Sequence, residues 1–378
     1  MHKLELPEGY REDINHYLAN SKLPAAFMTG FSLKEEQQFN FNFNYSDTGD
    51  DIFRIASMTK MITSIAALQL VERGKVSLDQ RLNELIPEMA EIPIIKPDGT
   101  TYKSNSSITL RQLLTHTAGF CYPFTSEQIF KVYQEGRPDL TIEEWFTLPR
   151  LFEPGQQFLY GINTDWVGKL VEKLSSLSLE NYFRENITGP LSMDHTWFNL
   201  PENIVSELVP FYEKTTNSDY EKIDMPHSQE SFCSGGGGLN SSPNDYCKLL
   251  KCILNGGEID KVRILAEPTI KELMFSNHLP IGITQQFEIF DQPTVAINSQ
   301  FLTENNNWSL AFALETGTQK YNRSPGTGLW AGAFNTYFTI DYNKKVAIAF
   351  FSQYAPFGED DAYNLYRLFE SQMFSYFS

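Results

Sequence analysis

Ser57 and Lys60 stand three residues apart in Ser57-Met58-Thr59-Lys60, the only Ser-x-x-Lys in the chain. Residues three apart on a helix face the same way, so the hydroxyl and the amine can meet. A serine hydroxyl is a weak nucleophile until a neighbouring base takes its proton. A lysine held away from water has its charged form disfavoured and can be that base. If the pair opens a helix, backbone N–H groups also point at the reacting centre and favour developing negative charge. Four residues alone also begin ordinary helices, so the surroundings must decide.

The element that carries the pair is itself unusual. From Ser57 to Arg73 the residues Met58, Met61, Ile62, Ile65, Ala66, Leu68 and Leu70 leave almost no polar stripe. A helix apolar nearly all round is a buried one, and Gly74 stops it. Upstream, residues 9–20 form a short polar helix. Phe39, Phe41, Phe43 and Tyr45 alternate with Asn40, Asn42 and Asn44, the period of a half-buried strand. Downstream, Asn163 or Thr164 can cap a helix with Val167, Leu170, Val171 and Leu174 inward. Ser242-Pro243 opens another helix. The runs Leu329 to Ile340 and Lys345 to Tyr354 read as strands joined by a hairpin at residues 341–344, and residues 360–376 as an amphipathic helix. Strands at both ends with helices between predict an α/β (α+β) domain, residues 1–79 and 231–378, interrupted by a helical domain at 80–230.

The chain has 378 residues and a formal net charge of −17. Such a surface repels phosphate backbones and anionic lipid, which argues against nucleic acid as a partner. Four cysteines form no CxxC pair, and no two of the six histidines sit at helical metal-ligand spacing, so no metal is expected. Reduced, buried thiols are expected, with a reactive Cys233 beside the glycine run as the alternative. The longest apolar run noted, Val346 to Phe351, is far short of a membrane span. The first residues show no apolar signal region, from which a cytoplasmic location is expected.

Around the Ser57–Lys60 pair, the stretch from Phe53 to Lys60 resembles the nucleophile segment of the serine β-lactamase and penicillin-binding superfamily. It is closest in kind to the family VIII carboxylesterases related to class C β-lactamases. Four more segments agree in order: Leu113 to Gly119 (LLTHTAG), Tyr160 to Gly168 (YGINTDWVG), Gly235 to Ser242 (GGGGLNSS), and Trp330-Ala331-Gly332. Together they span nearly the whole chain and are specific as a set. The resemblance implies a β-lactamase/transpeptidase-like fold, an antiparallel sheet flanked by helices, with the active site in the cleft beside the inserted helical domain. It implies Ser57 as the acylated nucleophile, Lys60 as its base partner, and Tyr160 sharing proton transfer with the lysine. The N–H groups of Ser57 and Ala333 would form the oxyanion hole.

Two departures bear on substrate. Lactamases carry an amide-holding Asn where Ile162 stands, and the Lys of Lys-Thr-Gly where Trp330 stands. Both changes leave a more apolar cleft, lined by Ile162, Trp330, Gly332 and Gly236, that suits a neutral ester. Trp330 as core filling is the alternative. His116 invites a Ser–His–Asp reading, but no Gly-x-Ser-x-Gly elbow supports it, and a structural histidine at a helix end is expected. Gly235 to Gly238 lacks the lysine of a P-loop. The expected function is ester hydrolysis through an acyl-enzyme, without cofactor. Alternatives are acyl transfer to an acceptor other than water, weak β-lactam or D-amino-acid peptide hydrolysis, and a non-catalytic binding protein on the same fold. Partners are small-molecule esters or amides.

Overall fold

Segments from the two ends of the chain meet at the centre of one sheet. The computed structural model describes all residues except 132–139, 216, 218, 228, 286, 288–300, 302–305 and 317–319. Three strands come from the start: β1 (His2–Leu4), β2 (Ala26–Ser32) and β3 (Gln37–Phe43). Five come from the end: β4 (Asn307–Trp308), β5 (Ala313–Leu314), β6 (Gly328–Gly332), β7 (Thr336–Asp341) and β8 (Val346–Phe351). They hydrogen-bond in the order β1-β3-β2-β8-β7-β6-β5-β4. The β1–β3 pair is parallel and every other neighbour pair is antiparallel.

β2, β7 and β8 are buried along their whole length, because helices cover both faces. The helices that matter here are α1 (Glu8–Ala19), α2 (Thr59–Glu72), α3 (Leu110–Leu114), α4 (Asn163–Ser175), α5 (Pro243–Leu254) and α6 (Asp360–Tyr376). Strand alternation sorts the residues of β7 between them. Tyr337 stacks on Tyr366 of α6, with ring centroids 4.9 Å apart, while Phe338 turns to the other face and meets Tyr246 of α5 at 5.9 Å. Each such buried aromatic or aliphatic side chain contributes about 1.5–3 kcal/mol.

The run Leu329 to Ile340 is not one strand. It folds back after Gly332, where Gly332 pairs with Thr336 and Asn335 takes φ +61°. β-propensity on both sides hid a turn set by one asparagine, a residue that tolerates the left-handed region. Asn335 holds that turn with its side chain, donating to the carbonyls of Tyr354 and Pro356.

The all-apolar pattern of α2 is explained by its place at the centre, where every residue from Thr59 to Leu70 is buried. α4 lies along it. Ser242 caps α5 by accepting from Asp245 N at 3.3 Å. α4 does not begin at an Asn163 or Thr164 cap: Ile162 occupies the cap position and no side chain caps the helix. Asn163 instead sends its amide inward, to the carbonyls of Phe120 (3.3 Å) and Leu159 (3.4 Å). No described helix is long and apolar enough to cross a membrane.

Candidate active site

The chain enters α2 through a short strand, Phe53–Arg54, paired with Asn240–Ser241, and a 3-10 turn, Ala56–Met58. Ala56 holds φ +42°, an unfavourable region for a residue with a Cβ, immediately before Ser57. The turn directs the Ser57 hydroxyl at Lys60, with Nζ 3.2 Å from Oγ.

Lys60 is 2% exposed, and three oxygens surround its amine: Ser57 Oγ, Tyr122 OH at 3.0 Å and the Gly236 carbonyl at 2.7 Å. Tyr122 OH in turn donates to Asp165 Oδ2 at 3.2 Å. The other carboxylate oxygen of Asp165 accepts from Ser234 Oγ (2.6 Å) and Gly236 N (3.0 Å). A Cβ on Gly236 would fall 2.2 Å from Asp165 Oδ2 and 2.7 Å from Tyr122 OH, so only glycine lets the chain pass here.

Burial pushes the Lys60 amine down to about 7, against an opposing pull from Asp165. The neutral amine is thereby within reach near neutral pH, where a lysine in water is almost wholly charged. A neutral amine has two protons and one lone pair. Two acceptors, the Gly236 carbonyl and the Tyr122 oxygen, take the protons, which leaves the lone pair facing the Ser57 hydroxyl. This arrangement can remove the serine proton.

Tyr160 approaches from the other side. Its ring lies under Lys60, 4.6 Å from Nζ to the centroid, and its hydroxyl accepts from Trp330 Nε1 at 3.3 Å. Burial raises the phenol well above its usual range, opposed by hydrogen bonds with Ser57 and Trp330. The phenol that bonds to the Lys60 amine is that of Tyr122, while Tyr160 keeps its proton and hydrogen-bonds with the serine. Trp330 is 4% exposed in an aromatic wall, 4.6 Å from Trp308, 5.1 Å from Tyr160 and 5.6 Å from Phe287, centroid to centroid.

His116 follows α3 as a buried residue whose Nδ1 faces the Gly161 N–H (3.4 Å) and the Asn163 amide (3.1 Å). Burial and the nearby Lys60 hold its imidazole far below the usual range, hence neutral. Its carbonyl accepts from Leu159 N at 2.8 Å, so the residue fixes the approach to Tyr160.

Gly332 closes the site on the sheet side. A Cβ there would fall 2.2 Å from the Ile55 carbonyl, so the β6–β7 turn, with exposed Ala333 at its start, lies directly against the Ser57 turn. Ile162 is 1% exposed in the core and caps α4, so its side chain offers a substrate no surface in this conformation. Beside the nucleophile turn lies a cavity of about 230 Å³, bordered by Arg54, Gly237, Leu239, Met225, His227 and Phe334. Cys121, Cys247 and Cys252 are buried free thiols; Cys233 is partly buried, and burial pushes its thiol up to about 11, which disfavours the reactive thiolate.

The Beta-lactamase family profile matches residues 43–372. The chain belongs to the Beta-lactamase family. Among its relatives, monacolin J acid methylbutanoyltransferase of Aspergillus terreus is 28% identical over 341 residues, 85% of this chain and 81% of that protein. Acyltransferase calJ of Penicillium decumbens is 30% identical over 353 residues, 87% of this chain and 82% of that one. A mutant of the simvastatin synthase LovD from Aspergillus terreus superposes with a TM-score of 0.80 at 25% identity, covering 97% of this chain and 98% of that one. The fold is accordingly β-lactamase/transpeptidase-like, as the motif set implied.

Sequence reasoning brought Ser57, Lys60, Tyr160, Trp330, Gly236 and Gly332 to one place in the molecule. It missed Tyr122, Asp165 and Ser234. Tyr122 is one of 18 tyrosines, with nothing in its spacing to mark it. Asp165 lies inside the YGINTDWVG segment, but an acid in a helix's first turn is explained by the helix dipole alone. Its one sequence signal is that it precedes Trp166 and Val167 on a helix whose opening residues are all buried.

Proposed function

We propose that the chain is a serine acyltransferase that works through an acyl-enzyme on Ser57. The 3.2 Å contact between Ser57 and a buried Lys60 amine, which burial brings down to about 7, carries this reading. Ser57 Oγ attacks the carbonyl carbon of an acyl donor as its proton passes to Lys60. The tetrahedral oxyanion is held by the N–H groups of Ser57 and Ala333, a pair of a kind worth about 3–4 kcal/mol in the transition state. The proton returns to the leaving alcohol or thiol by way of Lys60, with Tyr160 beside the oxygen. An acceptor alcohol then repeats the sequence in reverse, giving a new ester and free Ser57.

Ester hydrolysis, in which water is the acceptor, shares the first half. Transfer is favoured because the two relatives named above, which cover 85% and 87% of this chain, carry acyltransferase names. The aromatic wall at Trp330, beside Tyr160 and Trp308, supplies an apolar surface that suits organic donors and acceptors. A p-nitrophenyl butyrate assay with added secondary alcohols tests the reading. The expected result is butyrate ester of the alcohol in excess over butyric acid at millimolar acceptor. Butyric acid alone, across the acceptor panel, would return the chain to the hydrolases.

The base also sets a pH dependence. Lys60 must be uncharged to act, so kcat/KM rises with pH through about 7 and falls roughly tenfold per pH unit below it. A pH–rate profile that stays flat from pH 5 to 8 would contradict the assignment.

A further inference from the structure

We propose that Asp165 is a positioning residue for the base, acting through Tyr122 to orient the Lys60 lone pair and to stabilise the ammonium formed when Ser57 is deprotonated. The proposal rests on the acyl-enzyme reading above and adds to it a second, buried half of the proton apparatus.

The geometry is a single line of hydrogen bonds: Asp165 Oδ2 to Tyr122 OH at 3.2 Å, Tyr122 OH to Lys60 Nζ at 3.0 Å, Lys60 Nζ to Ser57 Oγ at 3.2 Å. Direction along the line is fixed at the carboxylate end. An ionised carboxylate only accepts, so Tyr122 must donate to Asp165 and present its lone pairs to Lys60. Lys60 then donates to Tyr122, and its own lone pair is left for the serine. Were the Asp165 end a donor, the line would reverse: Tyr122 would donate into the amine and occupy the lone pair that the chemistry needs.

Asp165 is itself held rigidly. It is 1% exposed, and Ser234 and the Gly236 N–H occupy its second oxygen. The same Gly236 accepts from Lys60 through its carbonyl, so one residue fixes both carboxylate and amine. The described groups facing Lys60 are Ser57 and Tyr160, Tyr122 and neutral His116 from the segment after α3, and Asp165 from α4. Asp165 is the one anion among them. Its charge favours the ammonium once the proton arrives, as a buried carboxylate does for the histidine of a serine protease.

The test is the pH–rate profile of the full chain on p-nitrophenyl butyrate, with wild type, Asp165→Asn and Tyr122→Phe. Asparagine keeps the shape but can donate to Tyr122. The expected results for Asp165→Asn are a fall in kcat/KM of about 100-fold and an acid limb displaced to lower pH by about one unit. The sign follows from losing the anion that favours the charged amine. Tyr122→Phe keeps the ring, removes the link, and should move the limb the same way with a smaller loss. The double variant should be no slower than Asp165→Asn alone, since both break one line. An unmoved acid limb in variants that fold would overturn the proposal, whatever the loss of rate. If Asp165→Asn does not fold, Tyr122→Phe decides by the same criterion. Failure of the wild-type chain to form a Ser57 adduct is a separate outcome, which sinks the acyl-enzyme reading itself.

Discussion

Replacing Ser57 with alanine is expected to lower kcat/KM on p-nitrophenyl esters by at least about 10⁴-fold and to abolish labelling by a fluorophosphonate probe. Of the three oxygens around the buried Lys60 amine, Ser57 Oγ is the only aliphatic hydroxyl; the others are a phenol and a backbone carbonyl. The hydroxyl is also replaceable without disturbing the fold. Ser57 sits in a 3-10 turn held by backbone bonds, including Met58 N to the Ile55 carbonyl at 3.0 Å. The alanine protein should therefore keep its thermal midpoint within a few degrees of wild type, because the change removes one hydroxyl and no packing. Loss of activity with retained stability separates a chemical role from a structural one. Ester turnover at the wild-type rate in the alanine protein would place the chemistry elsewhere.

The second large effect is at Lys60. Lys60→Met removes the base and should reduce acylation by about 10²–10⁴-fold, the range of a positioned proton-transfer group. Stability should move little or upward. A buried amine pays a desolvation cost that an apolar side chain of similar length does not, although Tyr122 and the Gly236 carbonyl each lose a donor. Lys60→Arg keeps a cation but not a base, since a guanidinium does not give up its proton near neutrality. It should be as inactive as the methionine variant. Stopped-flow measurement of p-nitrophenol release in the first turnover reads the acylation step directly. An arginine variant with more than a few per cent of wild-type acylation would mean that Lys60 works by charge alone.

The nucleophile end of this site was legible because its chemistry is local. Ser57 and Lys60 share one helix face, and the apolar run behind them already requires that face to be buried. Trp330 and Gly332 were legible only as part of an ordered set of motifs, because the turn after Gly332 brings them to Ser57 across nearly 280 residues of sequence. That same turn was misread as continuous strand, since Phe334 and Thr336 to Ile340 carry strand propensity and Asn335 alone reverses the chain. Ile162 shows the opposite failure. A position that departs from the family pattern was expected in the cleft, yet its backbone caps α4 and its side chain fills the core. The Asp165–Tyr122 arm was hidden for a different reason. It joins residues 43 apart whose meeting depends on how α4 packs against α3 and the segment after it, and residue type alone does not encode that. The choice of acceptor is a matter of degree, because transfer and hydrolysis differ only in which hydroxyl reaches the acyl carbonyl second.

The central claim is a covalent acyl group on one serine that another alcohol can remove. Intact-protein and peptide mass spectrometry after mixing with p-nitrophenyl butyrate, with and without an acceptor alcohol, tests it most directly. One butyryl group is expected on the peptide that carries Ser57, lost faster when acceptor is present and recovered as the acceptor's ester. Steady turnover with no adduct on that peptide, or an adduct on another residue, would contradict it.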